Sequence, residues 1–120
     1  MTKNKNKFLV NDIHSGLNET NVKNIFYPKS IMDIQKIIHE AREQRLPMSI
    51  AGGRHAMGGQ QFTDSAILVD MKRMNKVINF DYSRATVEIG AGIQWPELVD
   101  YLLKIPLERH LKKGGSFYGR

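Results

Sequence analysis

The sequence predicts an α+β domain with a small mixed sheet and flanking helices. Short runs rich in β-branched and apolar residues, typical of strands, alternate with two segments whose apolar residues recur at helical spacing. Glycine, proline and asparagine separate these segments. The 120 residues suffice for one domain or for part of a larger one. The predicted order is strand, helix, strand, glycine-rich loop, three strands and a second helix.

The first predicted element is a short strand at residues 23–27, which Pro28 ends. Residues 8–22 precede it and contain several turn-forming side chains, including Asn11, Asp12 and Gly16. We therefore expect this amino-terminal stretch to be irregular.

The first helix is predicted from Ser30 to Arg45. Ser30 and Asp33 form an S-x-x-D capping box, in which side-chain oxygens accept hydrogen bonds from unpaired amides of the first turn. Apolar residues follow at helical spacing, and Ile37 widens their stripe. We expect this stripe to pack against Val69, Val87 and Ile89 of the sheet; its members are Ile31, Ile34, Ile38 and Ala41.

The second half of the chain is expected to hold the remaining strands and a second helix. The strands are predicted at Met48–Ala51 and at residues 66–70, 76–80 and 85–90. Residues 81–84 form the turn of a hairpin between the last two. Pro96 suits the first turn of a helix, and three apolar residues then share one face: Leu98, Val99 and Leu102.

The net charge of +6 comes from the two ends of the chain. The start carries three lysines, and residues 104–120 carry five basic residues and one acid, so the stretch between them is close to neutral. A nucleic-acid module carries its basic residues on the folded face, which argues against a basic binding protein. The chain has no cysteine and no apolar run long enough to span a membrane. We expect a cytoplasmic protein with no membrane span, no nucleic-acid partner and no metal site.

A glycine-rich loop at residues 52–59 is the segment most indicative of function. Its four glycines directly follow a predicted strand, so backbone amides can approach a ligand closely and form an anion-binding nest. Arg54 could add a charge-assisted contact to a phosphate. The loop matches neither the P-loop nor the dinucleotide fingerprint. A phosphate site and a glycine-rich turn without a ligand both remain open on the residues alone.

The loop and its flanks resemble the FAD-binding domain of the vanillyl-alcohol oxidase and p-cresol methylhydroxylase (PCMH) type. The family loop reads approximately R-G-x-G-H-S-x-x-G-Q, and this chain has A-G-G-R-H-A-M-G-G-Q from Ala51 to Gln60. Y-P-x-S at residue 27, L-V-D-M at residue 68 and V-E-I-G-A-G at residue 87, followed by Trp95 and Leu98, are similar to its neighbouring motifs. The resemblance extends from about residue 11 to residue 103.

The resemblance implies FAD as the cofactor of a flavin-linked oxidoreductase that removes hydride from a small organic substrate. Gly52, Gly53 and Arg54 match backbone that faces the FAD pyrophosphate, and His55 matches a histidine that many members bond covalently to the flavin. The resemblance leaves this bond open here, because Ala56 replaces the usual serine. The remaining matched cofactor contacts are Ile50, Met57, Gly59 and Gln60.

Family enzymes are several times longer than this chain, and their substrate domain has no counterpart in it. We therefore expect a disordered start at residues 1–7, the first half of the FAD-binding domain at 8–104, and an unrelated or truncated basic tail at 105–120. The catalytic base would lie in the substrate domain, so no catalytic residue is predicted, and the chain alone is expected to be inactive. The alternative is a non-enzymatic remnant of the fold that holds no flavin.

Other chemistry-bearing residues are expected to be structural. His14 is interpreted as a solvated loop residue, Asp70 as a turn carboxylate at a strand end, and Trp95 as a core residue. Half of an FAD domain should also expose an apolar surface where the second half docks. The residues predicted at or beneath that surface are Met48, Ile50, Trp95 and Leu98.

Overall fold

The computed structural model describes residues 8–105, which form seven short strands and two helices. The predicted mixture of helix and strand is confirmed. The expected start at 1–7 and, except for residue 105, the expected tail at 105–120 lie outside the described residues. In chain order the elements are β1 (Leu9–Val10), β2 (Thr20–Asn21), β3 (Asn24–Phe26), α1 (Ile31–Glu43), β4 (Met48–Ala51), β5 (Ile67–Asp70), β6 (Val77–Asp81), β7 (Thr86–Ile89) and α2 (Trp95–Lys104).

A three-stranded parallel sheet forms the centre of the fold, in the order β3-β5-β4. Ile50 pairs with Val69 across β4 and β5, and Phe26 pairs with the same residue from β3. All four residues of β5 are buried, as expected for the middle strand of a parallel sheet covered on both faces. Because β4 and β5 run parallel, their carboxyl ends lie at the same edge of the sheet, where the glycine-rich loop begins.

Helix α1 begins where the capping box predicts, but only part of the predicted apolar stripe is buried. The Ser30 hydroxyl accepts from the amide of Asp33, and the Asp33 carboxylate accepts from the amide of Lys29. Ile37 and Ala41 are buried against the sheet with Val69, Ile67 and Met71, whereas the side chain of Ile31 is 70% exposed. Ile38 is also exposed. The prediction is confirmed for Ala41 and for Ile34, which packs against the same cluster. It was wrong for Ile31 and Ile38, because the buried face is centred on Ile37 and Ala41.

The opposite face of the sheet is covered by the amino-terminal segment, which the sequence predicted to be irregular. β1 pairs antiparallel with β2, and the amide of Val22 donates to the carbonyl of Phe8. Val10 and Val22 are buried with Phe62 on this side. Strands of two residues are too short to show a period, which is why the pattern did not predict them.

Strands β6 and β7 form a separate antiparallel hairpin, so Val87 and Ile89 do not belong to the sheet that α1 covers. The end of the hairpin packs closely on a 3₁₀ turn at Met71–Arg73. A Cβ at Gly90 or Gly92 would collide with the backbone of this turn or the residues directly after it. The amide of Gly92 donates to the carbonyl of Met74 at 3.0 Å. These two glycines thus permit backbone-to-backbone contact between the segment after β7 and the 3₁₀ turn region that follows β5.

Among residues 8–105 no helix has the length and apolar character needed to cross a bilayer.

Candidate functional site

The glycine-rich loop leaves the carboxyl end of β4 and turns at Arg54. Arg54 has φ +58°, a left-handed conformation that a side chain makes costly. The carbonyl of Arg54 accepts from the amide of Ile13 at 3.0 Å, which ties the loop to the amino-terminal segment. The left-handed residue at this turn is therefore an arginine, which lies between the glycine pairs at 52–53 and 58–59.

The side chain of Arg54 is held by Asp70 at the end of β5. Its Nη2 lies 2.8 Å and its Nε 3.2 Å from the same Asp70 oxygen, and Asp70 is 1% exposed. The other Asp70 oxygen accepts from the amide of Lys72 and caps the 3₁₀ turn. Asp70 is a structural turn carboxylate, as the sequence predicted. The guanidinium of Arg54 is thus paired within the protein through Nε and Nη2.

Residues 11–18 form a compact loop around the buried carboxylate of Asp12. Asp12 accepts from the Ser15 amide at 2.6 Å, the Ser15 hydroxyl at 2.8 Å and the Asn18 side-chain amide at 2.7 Å. These hydrogen bonds, led by that of Asn18, hold the pKa of Asp12 well below its usual range. Asn18 also donates to the carbonyl of Met57 at 2.7 Å, so the compact loop is fastened to the glycine-rich loop at a second point.

His14 projects from this compact loop and meets His55. Nε2 of His14 lies 2.9 Å from Nδ1 of His55, and the ring centroids are 5.0 Å apart. On its other edge, Nε2 of His55 lies 3.4 Å from the side-chain oxygen of Gln94, which precedes α2. His14 is exposed on its loop, as the sequence predicted, but it is not isolated, because its ring contacts that of His55. The exposed His55 ring lies between groups from two separate loops.

A groove of about 630 Å³ opens beside the histidine pair. Its polar wall contains His14, His55 and Gln94, and its apolar wall comes from the end of β7 and the start of α2. Trp95 contributes to the apolar wall and is 77% exposed. The prediction of Trp95 as a core residue was wrong, while Leu98 beneath it is buried.

The groove brings together only part of the predicted cofactor residues. Gly53 and His55 line it, and a Cβ at Gly53 would lie 2.6 Å from Cδ2 of the His55 ring. The residues after His55 form a turn of their own, in which the side-chain oxygen of Gln60 accepts from the Gly58 amide at 3.0 Å. The other predicted residues outside the lining are Ile50, Gly52, Arg54, Ala56, Met57 and Gly59.

The sequence did not predict that His14 and Gln94 contact His55. His14 is 41 residues and Gln94 39 residues away from His55 along the chain. The turn-forming residues around His14 indicate a tight loop, but they carry no signal for its position. Only the Gly-Ala-Gly break before Gln94 indicated that a loop reaches the start of α2 at this point.

Comparison with known proteins gives a consistent family. The sequence profile described as "FAD binding domain" matches residues 22–116, beyond the point near residue 103 where the resemblance was expected to end. The mitochondrial L-galactono-1,4-lactone dehydrogenase of Arabidopsis thaliana is 28% identical over 97 residues, covering 77% of this chain and 16% of that protein. The uncharacterized FAD-linked oxidoreductase YgaK of Bacillus subtilis is 31% identical over 85 residues, covering 68% and 19%.

The fold is also found in a solved structure of alkyldihydroxyacetonephosphate synthase. That structure superposes with a TM-score of 0.63 and 27% identity, covering 72% of this chain and 16% of the synthase. This chain thus spans less than a fifth of the length of the proteins it matches. Because the profile covers most of the sequence and includes the loop from β4 to β5, the chain belongs to the FAD binding domain family.

Proposed function

We propose that this chain is the first part of the FAD domain of a flavin-dependent oxidoreductase. The observation that carries the proposal is the position of Gly53 and His55 on a groove beside the carboxyl end of β4, in a member of this family. Ligands of open parallel sheets bind outside the carboxyl ends of the strands. The partners we propose are FAD and a small organic substrate, in the cytoplasm, with no nucleic acid.

The residues present fit a flavin nucleotide in two respects. A Cβ at Gly52 would meet no atom within 4 Å, so this exposed stretch of backbone leaves room for the close approach of a ligand. The groove has the size and the largely apolar lining of a small-molecule site, with a few polar groups at one side. FAD is larger than the groove, so the groove suits its flat ring system and the glycine-rich loop suits its pyrophosphate.

Within this proposal, the backbone amides of Gly52, Gly53 and Arg54 face the pyrophosphate. The left-handed Arg54 supports the assignment, because an alternation of right- and left-handed residues turns successive amides toward one anion. His55 lies at the flavin ring. Further contacts are proposed for Ile50, Ala56, Met57, Gly59 and Gln60.

When bound, the flavin would accept a hydride from a reduced carbon of the substrate and pass the electrons to dioxygen or another acceptor. This chain would supply binding and orientation. The matched relatives differ in their named activities, a lactone dehydrogenase and a synthase among them, yet they share this segment. We therefore assign the shared segment to FAD binding rather than to the substrate. The substrate-binding groups would lie in the part of the relatives that this chain does not match.

A covalent link through His55 is the finer part of the proposal. An imidazole nitrogen of His55 would lose its proton and bond to the flavin methyl carbon, which loses one hydrogen. Forming this bond would release two protons and two electrons, so it would require an electron acceptor such as dioxygen. Ala56 offers no hydroxyl group to assist, where the family loop has serine.

A chimera tests the proposal. Residues 8–105 replace the matching segment of the Bacillus subtilis relative, and the flavin content of the purified chimera is measured by absorbance. We expect flavin to copurify with both the host protein and the chimera. After acid denaturation, colour that stays with the chimera and is lost in His55→Ala indicates the covalent link, and His39→Ala on the outside of α1 is the control. A folded chimera without flavin, beside a yellow host, would support the remnant that holds none.

The isolated chain offers a second measurement, because Trp95 is its single tryptophan and lies on the groove wall. FAD added to the chain should quench this fluorescence. We expect the affinity to be weak, since one loop and one open groove cover only part of a large ligand.

A further inference from the structure

The contact between His14 and His55 restricts the protonation of both rings. A neutral imidazole has one nitrogen that donates and one that accepts. At 2.9 Å, Nε2 of His14 and Nδ1 of His55 are at hydrogen-bond distance, so one of them must carry the proton and the other the lone pair. The tautomers of the two rings are therefore linked.

Gln94 decides the direction of this hydrogen bond. Its side-chain oxygen lies on the opposite edge of His55, 3.4 Å from Nε2. An amide oxygen can only accept, which favours a proton on Nε2 of His55 and leaves Nδ1 with the lone pair. Gln94 is itself held in place, because its backbone amide donates to the Glu97 carboxylate at 2.8 Å.

His14 is held on both sides by its own loop. Ile13 donates its amide to the carbonyl of Arg54, the residue directly before His55. Asp12 gathers Ser15 and Asn18 around its carboxylate, and Asn18 reaches the carbonyl of Met57. The residues before and after His14 are thus fastened to the residues before and after His55. This arrangement fixes the backbone that carries the His14 ring next to the residue that carries the His55 ring.

We infer that His14 is a positioning residue that donates its Nε2 proton to Nδ1 of His55 and so holds His55 as the Nε2-protonated tautomer. The protonated edge of His55 is then presented beside Gln94 on the groove wall. This inference rests on the proposed function in one respect only, namely that a bound flavin would contact the protonated edge of His55. The hydrogen-bond direction itself is a property of the chain without a ligand.

The test reads the tautomer directly. Long-range ¹H–¹⁵N spectra of the 120-residue chain with ¹⁵N-labelled histidine are recorded at about pH 8, above the range in which free imidazole titrates. His55→Gln identifies the His55 signals. We expect separate shifts for a protonated Nε2 and an unprotonated Nδ1. His14→Phe keeps a ring but removes the donor, so the two His55 shifts should move toward a common averaged value. His14→Gln retains an N–H donor and should restore most of the separation.

His39→Gln, an exposed substitution on α1, should leave the His55 signals unchanged and serves as the control. Averaged shifts for His55 in the unchanged chain, or unchanged shifts in a folded His14→Phe variant, would overturn the inference. If the isolated chain gives no dispersed spectrum, the same variants are measured in the chimera. A chimera that lacks flavin but keeps the fixed tautomer would contradict the proposed function alone.

Discussion

Asp70 shows how one residue sets the shape of the site. Its buried carboxylate binds Arg54 with one oxygen and the amide of Lys72 with the other. The first contact holds a left-handed residue in place, and the second begins the turn on which the hairpin packs. A single carboxylate at the end of β5 thus connects the glycine-rich loop with the hairpin.

Replacing Arg54 with methionine should destabilise the fold by about 3 kcal/mol, because removing one partner of a buried ion pair leaves the other charge unpaired. The measurement is the urea midpoint at neutral pH. Lys104→Met removes a solvent-exposed pair with Asp100 and should change stability by less than about 0.5 kcal/mol. Equal effects of the two substitutions would contradict the role given to Asp70.

Asp12 should make stability depend on acid. Its folded-state pKa is lowered, so the folded state binds a proton less tightly than the unfolded chain, in which the aspartate pKa is about 3.9. The stabilisation is complete at neutral pH and is lost as the pH falls below about 5 toward the lowered value. Asp12→Asn should flatten this part of the curve. The pKa values of Asp33, Asp81 and Glu97 are also lowered, so the stability of the Asp12→Asn variant should still fall somewhat as the pH is lowered. An unchanged curve would remove Asp12 from this role.

Among the elements, α1 shows what the sequence could and could not predict. Its start follows from Ser30 and Asp33, because the cap is made of residues three positions apart. Its buried face does not, since four isoleucines spread over a wide arc and only the sheet selects between Ile37 and Ile38. In the same way, the glycine-rich loop is local and was predicted, whereas the meeting of His14 with His55 depends on how distant segments pack.

The corrected face of α1 gives a paired test. Ile37→Ala should cost about 3 kcal/mol, because the side chain is 6% exposed and its removal leaves a cavity. Ile31→Ala should be close to neutral, as the side chain lies mostly in solvent. The free energy of unfolding of both variants is measured by heat or urea. A larger decrease for Ile31→Ala than for Ile37→Ala would show that α1 buries Ile31, as the sequence predicted.

The glycines after β7 give a second test at the level of elements. Gly92→Ala should destabilise the chain by about 2 kcal/mol or more, because the added Cβ collides with the carbonyl of Met71. Gly52→Ala is the matched control, since its Cβ meets open space and folding stability should change by less than about 0.5 kcal/mol. If both variants unfold at the same urea concentration, the hairpin does not pack as described.

Across the whole molecule, the described residues leave large apolar side chains in solvent on the groove wall, on β4 and along α2. Among them are Ile50, Trp95, Val99 and Leu103. Exposed apolar surface of this kind is typical of an interface. Met48 is half-buried and Leu98 buried, so of the predicted surface residues only Ile50 and Trp95 are exposed.

The chain should therefore bind a hydrophobic dye and associate as its concentration rises. Val99→Glu with Leu103→Glu should lower dye fluorescence and light scattering, whereas Lys104→Gln, an exposed polar change next to them, should leave both unchanged. A chain that stays monomeric, melts cooperatively at high temperature and binds no dye would contradict the interpretation of this apolar surface as an interface.

The fastening of the compact loop to the glycine-rich loop also bears on where a working domain begins. The family profile starts at residue 22, yet Asp12, Ile13, His14 and Asn18 all lie before it. An expression boundary placed at residue 22 would retain the glycine-rich loop and Gln94 but discard His14 and the segment that positions it. If His55 has the proposed role, the segment that positions it therefore begins before residue 22.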